Sequence, residues 1–260
     1  MKQIITKLLL ILGVSLIITA SVPVKSQAAT PYEQYLAEQR AKIAATVPDP
    51  EAMRVQLETV YGINIAAPAA LKQNPETYAG QIYYCMDSLA SIPAPWVQMV
   101  SNTSKAKTGK KLTLNLKVPT GEVYLAGTIA DGTYSPKTNS INMNSWDSFT
   151  LAHEIGHAFY EVCHSKQPGF TETWQSYNVT GTYKGRANYM NEFTYEEMAS
   201  FVDDYAMINM NEDFADTCAY TLLEYATEVQ KGSIAKRPYL QLKAEYVKAL
   251  SNAFAGAPIL

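Results

Sequence analysis

Two of the three histidines stand four residues apart, in His153-Glu154-Ile155-Gly156-His157. They lie in a proline-free stretch, Ser145 to His164, where Phe149, Ala152, Ile155, Gly156 and Phe159 recur at helical spacing. The stretch therefore predicts a helix. Residues four apart on a helix face the same way, so both imidazoles point at one place. A pair so arranged can reach one tetrahedral zinc at about 2.0–2.1 Å. Glu154 lies one residue round the helix, beside such an ion rather than on it. There its carboxylate can take a proton from a water bound to the metal.

A zinc of this kind needs a third protein ligand. One known pattern would put Gly three residues and His six residues after the second histidine, but Tyr160 and Cys163 occupy those places. Cys163 points away from the pair while the helix continues, and His164 is two turns along the axis. Both read as structural. A downstream carboxylate remains, and two acidic clusters offer one: Glu192 with Glu196 and Glu197, and Glu212 with Asp213 and Asp216 beside Asn211. Either would also serve as a solvated helix face, and the residues alone leave the choice open.

Around the motif the order is helices, then strands, then helices. Residues 32–46, 50–61 and 75–89 read as helices, with Asp49 a cap before Pro50. A short helix follows Pro95 through Val100, and the polar stretch 101–111 reads as a hinge or domain boundary. Residues 112–118 alternate with period two, 123–130 is a continuous apolar run, and 139–144 carries Ile141 and Met143 on one side. Gly169 lies in a polar break, and further helices are expected near 194–204, 211–229 and 238–253. This is an α+β arrangement rather than a doubly wound sheet.

The segment FVDDYAMINMNEDFADTCAY, residues 201–220, resembles the third-ligand region of zinc peptidases related to anthrax lethal factor and the clostridial Pro-Pro endopeptidases. It is more similar still to bacterial zinc-binding metallopeptidases with a Tyr-Ala … Glu-Asp-Phe-Ala-Glu signature. The resemblance covers about residues 139–229. It implies a zincin-like catalytic domain of the gluzincin type, a small mixed sheet and an active-site helix followed by helices, and the boundary read at 101–111 assigns that domain residues 111–260. A helical region over 30–110 would precede it. One zinc per chain would be held by His153, His157 and Glu212. Glu154 would be the general base, and Tyr205, seven residues before Glu212, would stabilise the oxyanion. Asp216 replaces the family's Glu. One turn beyond Glu212, it can accept a hydrogen bond from a ligating histidine. Family members bind a protein or peptide substrate as an added strand on a sheet edge, here expected at 135–144. Tyr134, Ile141 and Trp146 are candidates for its pockets, with Ile141 better suited to the core.

Residues 1–29 differ from the rest. Lys2 and Lys7 precede an apolar run from Leu8 to Ala20, and Ser26, Ala28 and Ala29 follow, the order of a secretory signal peptide. No cysteine stands there for lipid attachment, so a secreted, extracellular protein is expected. Removing the segment takes three lysines and no acid, so the formal charge goes from −3 to −6. That balance, with no basic block, argues against nucleic acid or a membrane as partner. Cys85, Cys163 and Cys218 are too few for a disulfide scaffold, and one bridge or three thiols both remain open. The expected activity is hydrolysis of peptide bonds. Its rivals are a zinc amidase acting on cell-wall peptides and a non-catalytic secreted zinc protein.

Overall fold

The computed structural model describes residues 31–117, 132–179, 181–189, 194 and 196–260. Residues 1–29, expected as a signal peptide, and the strand expected at 123–130 lie outside them. The chain partitions into a short unit ending at Ala41, whose described part is helical, and a unit from Lys42 to Leu260 that holds the sheet and the site. Among the described residues no helix is long and apolar enough to cross a membrane.

The fold is mixed α+β, mostly helical, with one four-stranded sheet. Its elements in order are α1 (Pro31–Thr46), α2 (Pro50–Tyr61), β1 (Asn64–Ala66), α3 (Ala69–Lys72), α4 (Pro75–Ala90) and α5 (Ala94–Thr108). Then come β2 (Thr113–Asn115), β3 (Gly132–Ser135), β4 (Ser140–Met143), α6 (Ser148–Lys166) and α7 (Phe170–Ser176). Short 3-10 turns at Glu197–Ser200 and Tyr205–Met207 lead into α8 (Met210–Leu223), α9 (Tyr225–Lys231) and α10 (Pro238–Ala255).

Local chemistry sets most helix ends. Asp49 accepts from the amides of Glu51 and Ala52 at 3.1 and 3.0 Å, with Pro50 at the first helical position and Gly62 ending α2 at φ +66°. Asn74, Asp147 and Asn209 cap α4, α6 and α8 in the same way.

The sheet order is β1-β2-β4-β3, with β1, β2 and β4 parallel and β3 antiparallel to β4. Ile65, Leu114 and Ile141 stand in register across it. All three are buried, which roots the sheet in the core with Trp96, Phe159 and Phe214.

Several expectations need correction. The polar stretch 101–111 is not a hinge, because α5 continues to Thr108. Its hydroxyls turn inward and find carbonyls: Ser101 donates to Gly62 at 2.8 Å, Thr103 to Met99 at 2.8 Å and Thr108 to Ser104 at 2.9 Å. Strand β1, unexpected from sequence, pairs with β2, so the sheet draws on both sides of Lys110–Lys111. Near 194–204 the helical piece among the described residues is a 3-10 turn, and the helix expected over 211–229 breaks at Glu224; Gly169 does stand in a break, between α6 and α7. Most important for the site, residues 140–143 form an interior strand. Among the described residues the free edge beside α6 is β3.

Candidate metal centre

The site is built where α6 crosses α8. A Cβ on Gly156 would lie 2.9 Å from the Cα of Ala215, 3.0 Å from its carbonyl oxygen and 3.1 Å from the Cβ of Cys218. The two backbones therefore touch at the one residue of the motif that has no side chain. One turn along α8 from Ala215, this contact brings Glu212 over the two histidines.

Glu212 Oε2 is 3.3 Å from His153 Nε2 and 3.2 Å from His157 Nε2. The rings stand nearly perpendicular, centroids 4.5 Å apart at 87°. Donors bound to one tetrahedral ion at about 2.0–2.1 Å are separated by about 3.3 Å, so the three atoms have the spacing of three corners of one coordination sphere. Each imidazole is also held from behind. Asp216 Oδ1 is 2.7 Å from Nδ1 of His153, and Asn211 Oδ1 is 2.8 Å from Nδ1 of His157. With those Nδ1–H groups donating, each ring turns its Nε2 toward Glu212, where a bound metal would take the place of the Nε2 proton.

Asn211 and Asp216 flank Glu212 on α8, and the Asn209 side chain fixes that first turn by accepting from the amides of Asn211 and Glu212 at 2.8 and 3.1 Å. A role for Asp216 was legible in its spacing. The matching role of Asn211 was not, although the residue stands beside the ligand candidate.

Besides Asp216 behind His153, two carboxylates approach the histidine pair. His153, His157 and Glu154 have donor atoms within 4.8 Å of one another, but only Glu212 sets one oxygen at ligand spacing from both Nε2 atoms. Glu154 turns toward β3 instead. A Cβ on Gly132 would meet its Cγ at 2.6 Å and its Oε1 at 2.8 Å, so glycine is what lets the strand lie against the carboxylate. Glu154 Oε2 is buried with no partner among the described residues. A buried orphan acceptor beside a histidine pair marks a place for a donor or ion from outside the chain. The donor set, two imidazole nitrogens and one carboxylate oxygen, suits a divalent transition metal.

The electrostatics agree with a cation-seeking site. Burial works against ionisation of Glu212, yet hydrogen bonds from His153 and His157 bring its carboxyl down to about 2. Burial likewise opposes protonation of His153, and the bonds to Asp216 and Glu212 outweigh it, lifting the imidazole to about 10. Glu154 is pushed up by burial, against the pull of His157 and His153.

Tyr205 stands beside the pair, its ring centroid 5.9 Å from that of His153. Its backbone is fixed by a strand-like contact with the preceding loop, where Lys184 and Gly185 amides donate to Met207 and Ile208 carbonyls at 2.7 and 3.1 Å. Burial, then the charge of Glu212, push the phenol up to about 12 against the opposing Arg186. It is a protonated donor at neutral pH.

The other candidates stand elsewhere. Glu197 is tied to Lys184 at 2.7 Å, Glu196 is exposed, and Glu192 lies outside the described residues. Cys163 is buried in the core, and His164 is exposed and stacks on Tyr160 at 5.6 Å. All three cysteines are free and buried, with burial pushing each thiol up. Ile141 is core, while Trp146 and Tyr134 are half-buried, the former bonding Gln81 at 3.1 Å and the latter Asn139 at 3.0 Å. No family model matches the chain, and no curated protein is significantly similar to it.

Proposed function

We propose that this chain is a secreted zinc-dependent endopeptidase with a zincin-like catalytic fold, its one zinc held by His153, His157 and Glu212. The observation that carries the reading is the placement of Glu212 Oε2 at 3.2–3.3 Å from both imidazole Nε2 atoms. The unpartnered carboxylate oxygen of Glu154 stands beside them. A site that held metal only for structure would have no use for that buried carboxylate.

Zinc supplies a Lewis acid that makes a water acidic near pH ~7 and polarises a carbonyl. The chain's own residues do the rest. Glu154 takes the proton of the attacking water and returns it to the leaving amine, and its raised pKa suits both duties. Tyr205 donates to the carbonyl oxygen as negative charge develops there, a contribution of about 2.7–4 kcal/mol for one such donor. Asp216 and Asn211 hold the imidazoles in the tautomer that presents Nε2. A peptide adds as a strand to the free edge of β3, beside Glu154. Residues 1–29, with the order of a signal peptide, place this activity outside the cell.

Metal content and peptide turnover, measured together, test this reading. The parent should carry about one zinc per chain and cut unstructured peptides. Glu154→Gln should keep the zinc and lose about 10²-fold or more in turnover. Glu212→Gln should lose most of the metal. Equal zinc in the parent and Glu212→Gln would move the third ligand to another carboxylate. No zinc in either, with metal supplied, would sink the peptidase reading.

A further inference from the structure

Residues 183–189 stand on one side of the site and are tied to it. Tyr183 donates to Asp213 at 2.9 Å, and the Lys184 and Gly185 amides bond the carbonyls of Met207 and Ile208. Gly185 then turns the chain at φ +74°, its carbonyl accepting from the amides of Asn188 and Tyr189 at 3.0 and 3.1 Å. The Tyr189 ring lies edge-on to Tyr205, centroids 5.8 Å apart at 85°. Arg186 projects from this turn, and its Nη2 is 3.4 Å from the Tyr205 hydroxyl.

The charges around that hydroxyl are one-sided. Glu212, Asp216 and Glu154 act on Tyr205 from the side of the histidine pair, and the guanidinium of Arg186 opposes them. Lys184, two residues earlier, is already paired with Glu197 at 2.7 Å. Arg186 is exposed and makes no ion pair with any described residue. A guanidinium carries five donors in a planar fork suited to a carboxylate, and the single long contact with Tyr205 uses one of them.

We infer that Arg186 is a specificity-determining residue: it binds a substrate carboxylate carried by a residue next to the scissile bond. The inference rests on the peptidase reading and names the substrate class of that same site. A carboxylate oxygen paired with Nη2 of Arg186 at about 2.8 Å lies no more than about 6 Å from the Tyr205 oxygen, on which the scissile carbonyl bears. One residue advances the chain by about 3.3–3.6 Å, so the acid belongs to a neighbour of the cut. It is either an Asp or Glu side chain or the free carboxylate of a chain end, and the chemistry at Arg186 is the same for both.

The test uses the full zinc-loaded chain. A peptide library digested by the parent locates a cut, and matched peptides then place Glu or Gln on each side of it, with the chain end as free acid or amide. The expected result is a kcat/KM about tenfold or more higher for one acid-bearing member than for its neutral partner. That ratio should fall to about one in Arg186→Gln, and Arg186→Glu should reverse it toward Lys at the same position. Preference for the side-chain acid identifies an endopeptidase for acidic sites, and preference for the free end a carboxydipeptidase-like cut. Peptides cut with no acid preference, or a preference that survives in Arg186→Gln, overturn the role of Arg186 and leave the peptidase reading standing. No peptide cut by the zinc-loaded parent overturns both.

Discussion

At Gly156 the helix and the tertiary structure ask for different residues. Alanine is favoured over glycine inside a helix by about 1 kcal/mol, so local propensity alone says that Gly156→Ala stabilises α6. The new Cβ would meet the Cα of Ala215 at 2.9 Å and its carbonyl oxygen at 3.0 Å, and backbone cannot rotate away. Overpacking of this kind costs about 1–3 kcal/mol, which outweighs the propensity gain. Gly156→Ala should therefore lower the melting temperature, and by pushing α8 outward it should weaken metal retention during dialysis against a chelator. A variant that melts higher and retains added metal as well as the parent would show that the helices can part without cost. The motif's histidines were legible because they need only the helical repeat. The reason for the glycine between them was not, since it concerns a partner far along the chain.

Helix α2 shows what is decided at the scale of the element. Its cap and its first proline are local and were readable, and its span is as expected. Its main electrostatic anchor was not foreseen. Glu51 accepts from Arg54 at 2.7 and 3.0 Å, from Tyr78 at 2.7 Å and from Lys72 at 3.0 Å, joining α2 to α3 and α4. The hydrogen bonds from Arg54, then those from Tyr78 and Lys72, bring its carboxyl from 4.5 down to about 2. A carboxyl lowered in the folded state stabilises above its unfolded pKa, and that contribution is lost as pH falls through the folded value. The melting-temperature gap between the parent and Glu51→Gln should thus be open at pH 6, narrow below pH 4.5 and be nearly closed at about pH 2. Half of the Glu51 side chain is exposed, so the gap will be small. A gap that does not change with pH would mean that Glu51 acts through packing alone. In α5 the polar composition misled in the opposite direction, because serines and threonines that read as a loop bond back to carbonyls inside a helix.

Across the whole molecule, Lys243 of α10 and Asp213 of α8 form a fully buried pair at 2.8 Å. Lys243 also donates to the Ser200 carbonyl at 2.6 Å, while Trp174 and Tyr183 donate to Asp213 at 2.8 and 2.9 Å. Four separate segments meet at the residue next to Glu212. Burial pulls the lysine down and pushes the aspartate up, and each charge offsets the cost of the other. Lys243→Met should leave Asp213 uncompensated and cost about 3–5 kcal/mol, read by urea denaturation. A loss under about 1 kcal/mol would mean that Trp174 and Tyr183 suffice to hold the charge.

The sequence alone determined what depends on near neighbours: the α+β order, most helix starts, and two imidazoles with a glutamate between them on one helix. Spacing within a helix follows from its repeat, whatever the rest of the chain does. Only the tertiary structure set Glu212, the carboxylate the resemblance implied, against the histidines, braced His157 with Asn211, and put β3 rather than residues 140–143 at the sheet edge beside α6 among the described residues. The crossing of α6 and α8 decided the first two. That crossing depends on close packing between Gly156 and Ala215, where the volumes of two distant residues must match, and no local pattern encodes that match.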